Sequence, residues 1–221
     1  MAIILNIDTA VESASVCLAK DANPVQFEIN NNQKDHASWL HSTIKKIISN
    51  AEITIKDIEA IAVTIGPGSY TGLRVGLSAA KGLCFALNIP LIAVNTLEMI
   101  ASSVKKTDTD MICPLIDARR MEVFMAVYDR DMKEIIPPCA LVLEPGSFDS
   151  LLEAGKIVFA GSGSAKLKNM IVHKNAIFNN SIASAIDMIP LSAKKNIEKN
   201  FVNLSYVEPF YIKEFYSPAR I

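Results

Sequence analysis

The sequence predicts an α/β fold made of two lobes, in which the second lobe repeats the first in reduced form. Of its 221 residues, 50% are hydrophobic, which is enough apolar material for a substantial core. Three short strands open the chain, and helices and strands then alternate as far as Val104. A polar linker, Lys105 to Asp110, precedes another pair of strands. We therefore expect an N-terminal lobe over residues 1–104 and a C-terminal lobe over residues 105–221.

The three N-terminal strands are expected to form an antiparallel meander. Turn-prone residues, Glu12-Ser13 and then Asp21 to Pro24, separate the apolar runs. The predicted strands are Ile3 to Asp8, Ala14 to Ala19 and Val25 to Ile29.

Helices and strands alternate through the rest of the first lobe. Apolar residues such as Leu40, Ile44 and Ile48 recur at helical spacing, and Asp35 is placed to cap that helix. The predicted elements are a helix from Ala37 to Ala51, a strand from Ile61 to Ile65, a helix from Thr71 to Leu87, a strand from Leu91 to Val94 and a helix from Thr96 to Val104. This order is that of the ribonuclease-H-like unit of the actin, sugar-kinase and Hsp70 class, which usually carries the unit twice.

The second lobe begins as a repeat and then becomes irregular. Met111 to Ile116 and Val123 to Tyr128 predict a new pair of strands. Three prolines, Pro137, Pro138 and Pro145, are expected to interrupt the pattern, and Phe178 to Asn200 is helical only in parts. The remaining length is too short for a complete second nucleotide-binding lobe.

The charge balance argues against strong direct binding of nucleic acid. The formal net charge is -1 and the pI is about 6.3. A protein that grips RNA by itself usually shows a basic stripe, because phosphate neutralisation dominates its affinity. The lysine-richest region, Lys156 to Lys199, mixes its charges with apolar residues and is better explained as a solvated face.

Cysteine spacing and hydropathy predict a protein of the cytoplasm. The four cysteines lie far apart in apolar surroundings and have no metal-ligand spacing, so we expect buried free thiols. The apolar run from Met1 is ended by Asp8 too early for a signal peptide, and no run is long enough to span a membrane.

A Gly/Pro loop between a strand and a helix is the most informative motif. It reads GPGSYTG and consists of Gly66, Pro67, Gly68, Ser69, Tyr70, Thr71 and Gly72. Backbone N–H groups at such a helix start are unpaired, so the loop could hold a phosphate or anchor the backbone of a partner. It lacks the Gly-Lys-Ser/Thr ending of a P-loop, and Ser69 is not in a nucleophile elbow.

Five segments, in the same order, resemble the TsaB family. They are ILNIDTAVESASVCL from Ile4, HASWLH from His36, GPGSYTGLRVGLSAAKGLCFALNIPLIAVNTLE from Gly66, IDARRMEVFMAVY from Ile116 and YVEPFYIKEF from Tyr206. The resemblance implies a non-catalytic subunit that works with a TsaD-like protein and a TsaE-like ATPase to install threonylcarbamoyladenosine in tRNA beside the anticodon. It implies no cofactor for the isolated chain and leaves an ATP or ADP site at the interface of the complex open. Older names for this family call it an M22-type glycoprotease.

The first two helices are the predicted partner-binding region. The second helix is apolar or small nearly all round, which exceeds what one buried face needs. The TsaB resemblance implies that these helices pair with TsaD, and form a homodimer when TsaD is absent. The predicted contact residues are Leu40, Ile44, Leu73, Arg74, Gly76, Leu77, Ala80 and Lys81.

A small actin-like ATPase or kinase is the alternative function. Its candidate nucleotide residues, vestigial under the first interpretation, are Asp8, Thr9, Asp117, Gly161 and Gly163. Asp117 is followed by Ala118, Arg119 and Arg120 where a phosphate loop needs glycines, so backbone cradling is doubtful. The glycoprotease alternative is weaker, because no nucleophile, His and Asp set can be assigned.

No metal site is predicted, although the TsaD relatives of the family carry a two-histidine metal motif on the equivalent helix. His36 and His41 are five residues apart in this sequence, about 140° around a helix, whereas ligands on one face need a spacing of three or four. We therefore expect both histidines to be structural.

Overall fold

A computed structural model describes residues 2–32, 36–104 and 108–213. The predicted helix cap Asp35, the side chain of His36, the linker residues 105–107 and the last two residues of the C-terminal motif, Glu214 and Phe215, lie outside the described part.

The first lobe has the predicted elements with ends shifted by one or two residues. The meander is confirmed, with antiparallel pairing of its first strand to its second and of its second to its third. The elements are β1 Ile3–Asp8, β2 Ala14–Lys20, β3 Asn23–Asn30, α1 His36–Asn50, a 3-10 turn Ile55–Asp57, β4 Ala60–Gly66, α2 Tyr70–Leu87, β5 Leu91–Asn95 and α3 Thr96–Val104.

Local sequence explains where α2 begins and ends. Ser69 precedes the helix, and its hydroxyl accepts a hydrogen bond from the Gly72 amide, which satisfies one of the open N–H groups of the first turn. Asn88 ends the helix in a left-handed conformation, with φ 53°, and asparagine adopts that conformation more readily than most residues.

The second lobe repeats the sheet of the first strand for strand. Its elements are β6 Met111–Asp117, β7 Glu122–Asp129, β8 Glu134–Val142, α4 Asp149–Ala154, β9 Ile157–Ala160, α5 Ser164–Leu167, β10 Ala176–Phe178 and α6 Ile189–Ile197. The first sheet has the order β3-β2-β1-β4-β5 and the second β8-β7-β6-β9-β10, with parallel pairing at the corresponding places. The duplicated α/β fold is confirmed.

The reduction predicted for the second lobe lies in its helices, because its sheet is complete. α4 has 6 residues and α5 has 4, against 15 in α1 and 18 in α2. The prediction that Pro137 and Pro138 interrupt the pattern was wrong, because both lie within β8. They are tolerated because β8 is an edge strand, and its pairing register with β7 shifts around them.

Three apolar clusters place the sheets in layers. α1 and α2 pack on one face of the first sheet, and α4 and α5 pack on the outer face of the second. Between the two sheets lies a mixed core, called here the interlobe core, to which both lobes and helices α3 and α6 contribute.

The C-terminal part of the chain returns to the first lobe. α6 packs against β1 and β5, and the Val202 amide donates to the Leu91 carbonyl oxygen at 3.0 Å. Further along, the Phe210 amide donates to the Ile65 carbonyl oxygen at 2.7 Å. A boundary after Val104 therefore separates the two sheets, but the residues that follow β10 pack on both lobes.

Candidate functional site

The glycine-rich loop packs against the end of β1. The Ser69 amide donates to the Ala10 carbonyl oxygen at 2.8 Å, and the Thr9 hydroxyl donates to the Gly72 carbonyl oxygen at 2.7 Å. These contacts engage the Ser69 amide and the Gly72 carbonyl within the chain. That this loop holds a phosphate or anchors the backbone of a partner stays a prediction.

Close approach of two backbones explains the glycines of this loop. A Cβ atom on Gly72 would lie 1.9 Å from the Thr9 carbonyl oxygen, and one on Gly68 would lie 2.4 Å from that of Ala10. Gly66 combines φ +125° with the backbone of Phe210, whose carbonyl oxygen would be 2.3 Å from an added Cβ. The loop is thus held between β1 and the residues from Phe201 to Lys213, called here the C-terminal segment.

Asp8 and Thr9, two of the candidate nucleotide residues, are fully buried at the end of β1. Asp8 Oδ1 accepts from the Thr64 hydroxyl at 2.7 Å and from the Ala10 amide at 2.9 Å. Burial raises the pKa of Asp8 to about 6, against the smaller opposing effect of these two donors. Neither side chain is exposed to a ligand in this arrangement.

Asp117, the expected counterpart of Asp8, is engaged at the surface of the second lobe. Its Oδ1 accepts from Lys166 Nζ at 2.6 Å and from the Arg119 amide at 2.6 Å. Partial burial opposes ionisation, but these two donors prevail and lower the pKa of Asp117. The turn that follows has Arg119 at φ 70° and Arg120 at φ 50°, so no glycine cradle is present there.

Gly161 and Gly163 form a strand-to-helix turn between β9 and α5. Gly161 adopts φ +88°, and a Cβ on either glycine would contact Leu115. The turn borders a cavity of about 190 Å³ between the lobes, which Val11, Ile100 and Asn179 also line. Asp8, Thr9 and Asp117 are not among the residues that line this cavity, so the structure does not bring the five candidate nucleotide residues together.

Only one member of the histidine pair, His41, has a side chain within the described part of the structure. Within the ranges that the structure describes, no three His, Cys, Asp or Glu side chains come together as a metal site. His41 is exposed on α1. Cys17, Cys84 and Cys113 are buried and Cys139 is half-buried, and all four are free thiols as predicted.

Most of the predicted partner-binding residues lie in the core of the first lobe, which corrects their assignment. Leu40, Ile44, Leu73, Gly76, Leu77 and Ala80 are all buried within the chain itself. Burial against the first sheet accounts for these side chains without a partner. The involvement of the two helices stays a prediction, but its contact residues must be those on the outer face.

Arg74 and Lys81 lie on the edge of α2 that faces the C-terminal segment. The Arg74 guanidinium stacks 4.0 Å from the centre of the Tyr70 ring, and its Nε donates to the Tyr211 hydroxyl at 3.2 Å. Lys81 Nζ donates to the Val207 carbonyl oxygen at 3.2 Å. Both side chains therefore hold the C-terminal segment along α2.

An open groove between α1 and α2 is the candidate interaction site. It has a volume of about 400 Å³, and its walls carry mainly small and apolar side chains. Gly82 is one of its lining residues, and nothing within 4 Å would contact a Cβ atom on it. The lining residues are Ala37, His41, Val75, Ser78, Ala79, Gly82 and Leu83.

Sequence reasoning missed this groove, although its signal is present in α2. Val75, Ser78 and Gly82 follow one another at spacings of three and four, so they share one helix face. Leu73, Leu77 and Ala80 form a second face at the same spacings. Both faces are small or apolar, and only the packing shows which one the chain buries.

Comparison with known proteins gives the family. The model described as "TsaD: tRNA N6-adenosine threonylcarbamoyltransferase" matches residues 28–203. The tRNA threonylcarbamoyladenosine biosynthesis protein TsaB of Escherichia coli K12 is 29% identical over 219 residues, 95% of this chain and 94% of that protein. Its Bacillus subtilis 168 counterpart is 30% identical over 171 residues, 76% of this chain and 74% of that protein. The chain belongs to the TsaB family.

A solved TsaB-like structure supports the same fold. The structure of YeaZ from Pseudomonas aeruginosa is 26% identical in sequence and superposes with a TM-score of 0.80, covering 96% of this chain and 100% of that chain. The likeness to that structure thus extends over both lobes. None of the helices within the described ranges combines the length and apolar character needed to cross a bilayer.

Proposed function

We propose that this chain is a non-catalytic partner subunit in the synthesis of threonylcarbamoyladenosine in tRNA. Its E. coli and B. subtilis relatives are named as proteins of that biosynthesis. The single observation that carries the subunit role is the open α1–α2 groove, whose small and apolar walls suit a protein surface.

The burial of the nucleotide candidates supports a role without catalysis. Asp8 and Thr9 have no exposed surface, and Asp117 is paired with Lys166. An ATPase of this fold would need two acidic loops that face one bound nucleotide and its Mg²⁺. The two carboxylates of this chain are engaged by its own donors, which disfavours the ATPase alternative. The glycoprotease alternative has no residue set to support it.

The proposed occupant of the groove is a helix face of a TsaD-like protein. Ala37, Ala79 and Gly82 allow the backbones of two helices to approach closely, and Val75 and Leu83 offer apolar contact at the sides. In the absence of that partner, a second copy of this chain would cover the same groove as a homodimer. A TsaE-like ATPase completes the proposed complex, with ATP or ADP bound between subunits, and the complex would act in the cytoplasm.

Reconstitution tests this function. The purified chain, its TsaD-like and TsaE-like partners from the same cell, ATP and the threonylcarbamoyl donor are combined with unmodified tRNA, and nucleosides are measured by mass spectrometry. We expect modification only when the chain is present, and no turnover of Mg-ATP by the chain alone. Robust ATP hydrolysis by the isolated chain, abolished in Asp8→Ala, would contradict the proposal in favour of the ATPase.

A further inference from the structure

A row of buried polar side chains crosses the first sheet beneath the interlobe core. Ser15 on β2, Asp8 on β1 and Thr64 on β4 are neighbours on adjacent strands, and all three have no exposed surface. Such residues in a core require hydrogen-bond partners, because an unpaired buried polar group is costly.

Asp8 has only half of its acceptors satisfied. Its Oδ1 atom accepts two hydrogen bonds, from the Thr64 hydroxyl and the Ala10 amide, whereas Oδ2 has no donor among the described residues. Asn6 Oδ1, two residues earlier on the same strand face, is also buried without a donor. A protonated carboxyl would supply a donor at this position, and an ionised one would not.

A segment from the second half of the chain covers this row. The segment Ala183–Met188, called here the strap, connects β10 to α6, and its Ala183, Ala185 and Met188 side chains are buried in the interlobe core. The Ala185 amide donates to Ser15 Oγ at 2.8 Å, which ties the strap directly to the polar row.

The strap also carries a second carboxyl, that of Asp187. Asp187 Oδ2 accepts from the Ser184 amide at 2.8 Å, and its charge adds to the burial that disfavours ionised Asp8. From β4 and from the turn after β1, Asp8 meets only the neutral donors Thr64 and Ala10. Burial also raises the pKa of Asp187. No cation among the described residues pairs with either carboxylate.

We propose that Asp8 is a proton-dependent junction between the two lobes, where the strap packs firmly on the polar row when Asp8 is protonated and loosens when Asp8 ionises. This inference goes beyond the proposed function, because it concerns how the lobes are held and would apply with or without a partner. Its physical cause is the burial of a carboxyl whose Oδ2 has no donor among the described residues, and the charge of Asp187 adds a smaller effect in the same direction.

The sign of the pH effect follows from the raised pKa. Below the ordinary pKa of 3.8, Asp8 is protonated in both the folded and the unfolded chain and contributes no pH dependence. Between that value and about 6, the unfolded chain releases the proton more readily, so folding stability falls as pH rises. Asp8→Asn keeps the oxygen that accepts from Thr64 and Ala10 and adds a permanent donor in place of Oδ2.

Thermal unfolding of the full chain and Asp8→Asn from about pH 5 to about pH 8 tests the proposal. We expect the Tm of Asp8→Asn to exceed that of the parent by ~5 °C or more at the upper end, with the difference shrinking toward the lower end. Hydrogen exchange of the Ala185 amide, corrected for its intrinsic pH dependence, should lose protection with rising pH in the parent but not in Asp8→Asn.

Two further variants keep the test decisive if Asp8→Asn folds poorly. Asp187→Asn removes the second carboxylate, so the fall of Tm and of Ala185 protection with rising pH should begin at a lower pH than in the parent. Thr64→Val removes a donor that stabilises ionised Asp8, so the same fall should begin at a higher pH. A constant Tm difference across the pH range, together with pH-independent protection of Ala185, would overturn the proposal.

Discussion

Gly76 and Gly82 lie on α2 in opposite environments. A Cβ on Gly76 would stand 2.3 Å from the Thr9 hydroxyl oxygen, and one on Gly82 would meet nothing within 4 Å. We expect Gly76→Ala to destabilise the chain by about 1–3 kcal/mol through overpacking. Gly82→Ala should stabilise it by up to about 1 kcal/mol, since glycine is a poor helix former. Urea unfolding measures the free energy of unfolding of the two variants. Equal changes in both would show that Gly76 does not face the core and Gly82 the solvent as described.

The chemistry of single residues could be predicted only as far as local sequence determines it. Asp8 was correctly placed at the end of the first strand, because the apolar run before it ends there. Its cross-strand neighbour Ser15 accepts a hydrogen bond from a strap that lies far away in the sequence, and no local pattern predicts that contact. The same limit applies to the Tyr70 and Tyr211 rings around Arg74, which come together only in the folded chain.

The C-terminal segment, Phe201 to Lys213, is the element that joins parts far apart in the sequence. It pairs with β5 at Leu91 and with the end of β4 at Ile65, and it packs Val202, Leu204 and Val207 against the core of the first lobe. Near its end, Lys213 forms an ion pair with Glu122 of the second lobe. The segment therefore stabilises α2, the glycine-rich loop and the contact between the lobes.

Truncation measures the contribution of this segment. We expect removal of residues 201–221 to lower the Tm by about 5–10 °C, because several backbone hydrogen bonds and apolar contacts with the first lobe are lost. Removal of residues 214–221 alone is the matched control and should leave Val202, Val207 and Phe210 in place. If both truncated chains have the same Tm as the parent, the segment does not stabilise the contact between the lobes.

At the scale of elements, prediction succeeded where the local sequence determines the structure and failed where distant parts of the chain determine it. The first-lobe strands and α3 follow from short apolar runs bounded by turn residues. A proline has no backbone N–H group to donate to a neighbouring strand, so Pro137 and Pro138 predict an interruption of the pattern. They lie in an edge strand, and a strand's place in its sheet cannot be derived from its own residues.

At the scale of the whole molecule, the duplication of the fold was predictable from the order of elements. The return of α6 and the C-terminal segment to the first lobe was not, because these contacts join residues that lie far apart in the sequence. The partner-binding role of α1 and α2 stays a prediction, and most of the contact residues named from the sequence lie on the face of α2 that the chain itself buries. Packing against the first sheet leaves Val75, Ser78 and Gly82 as the outer face available to a partner.

The central claim, that the chain binds a TsaD-like protein through the α1–α2 groove, is tested most directly by isothermal titration with that protein. Gly82→Arg introduces a long charged side chain into the groove at a position where an added Cβ meets nothing within 4 Å, and Ala154→Arg, on the exposed end of α4, is the matched control. We expect Gly82→Arg to weaken the affinity by about a hundredfold or more, with Ala154→Arg unchanged and the Tm of both variants near that of the parent. A Gly82→Arg variant that binds as tightly as the parent would contradict the account.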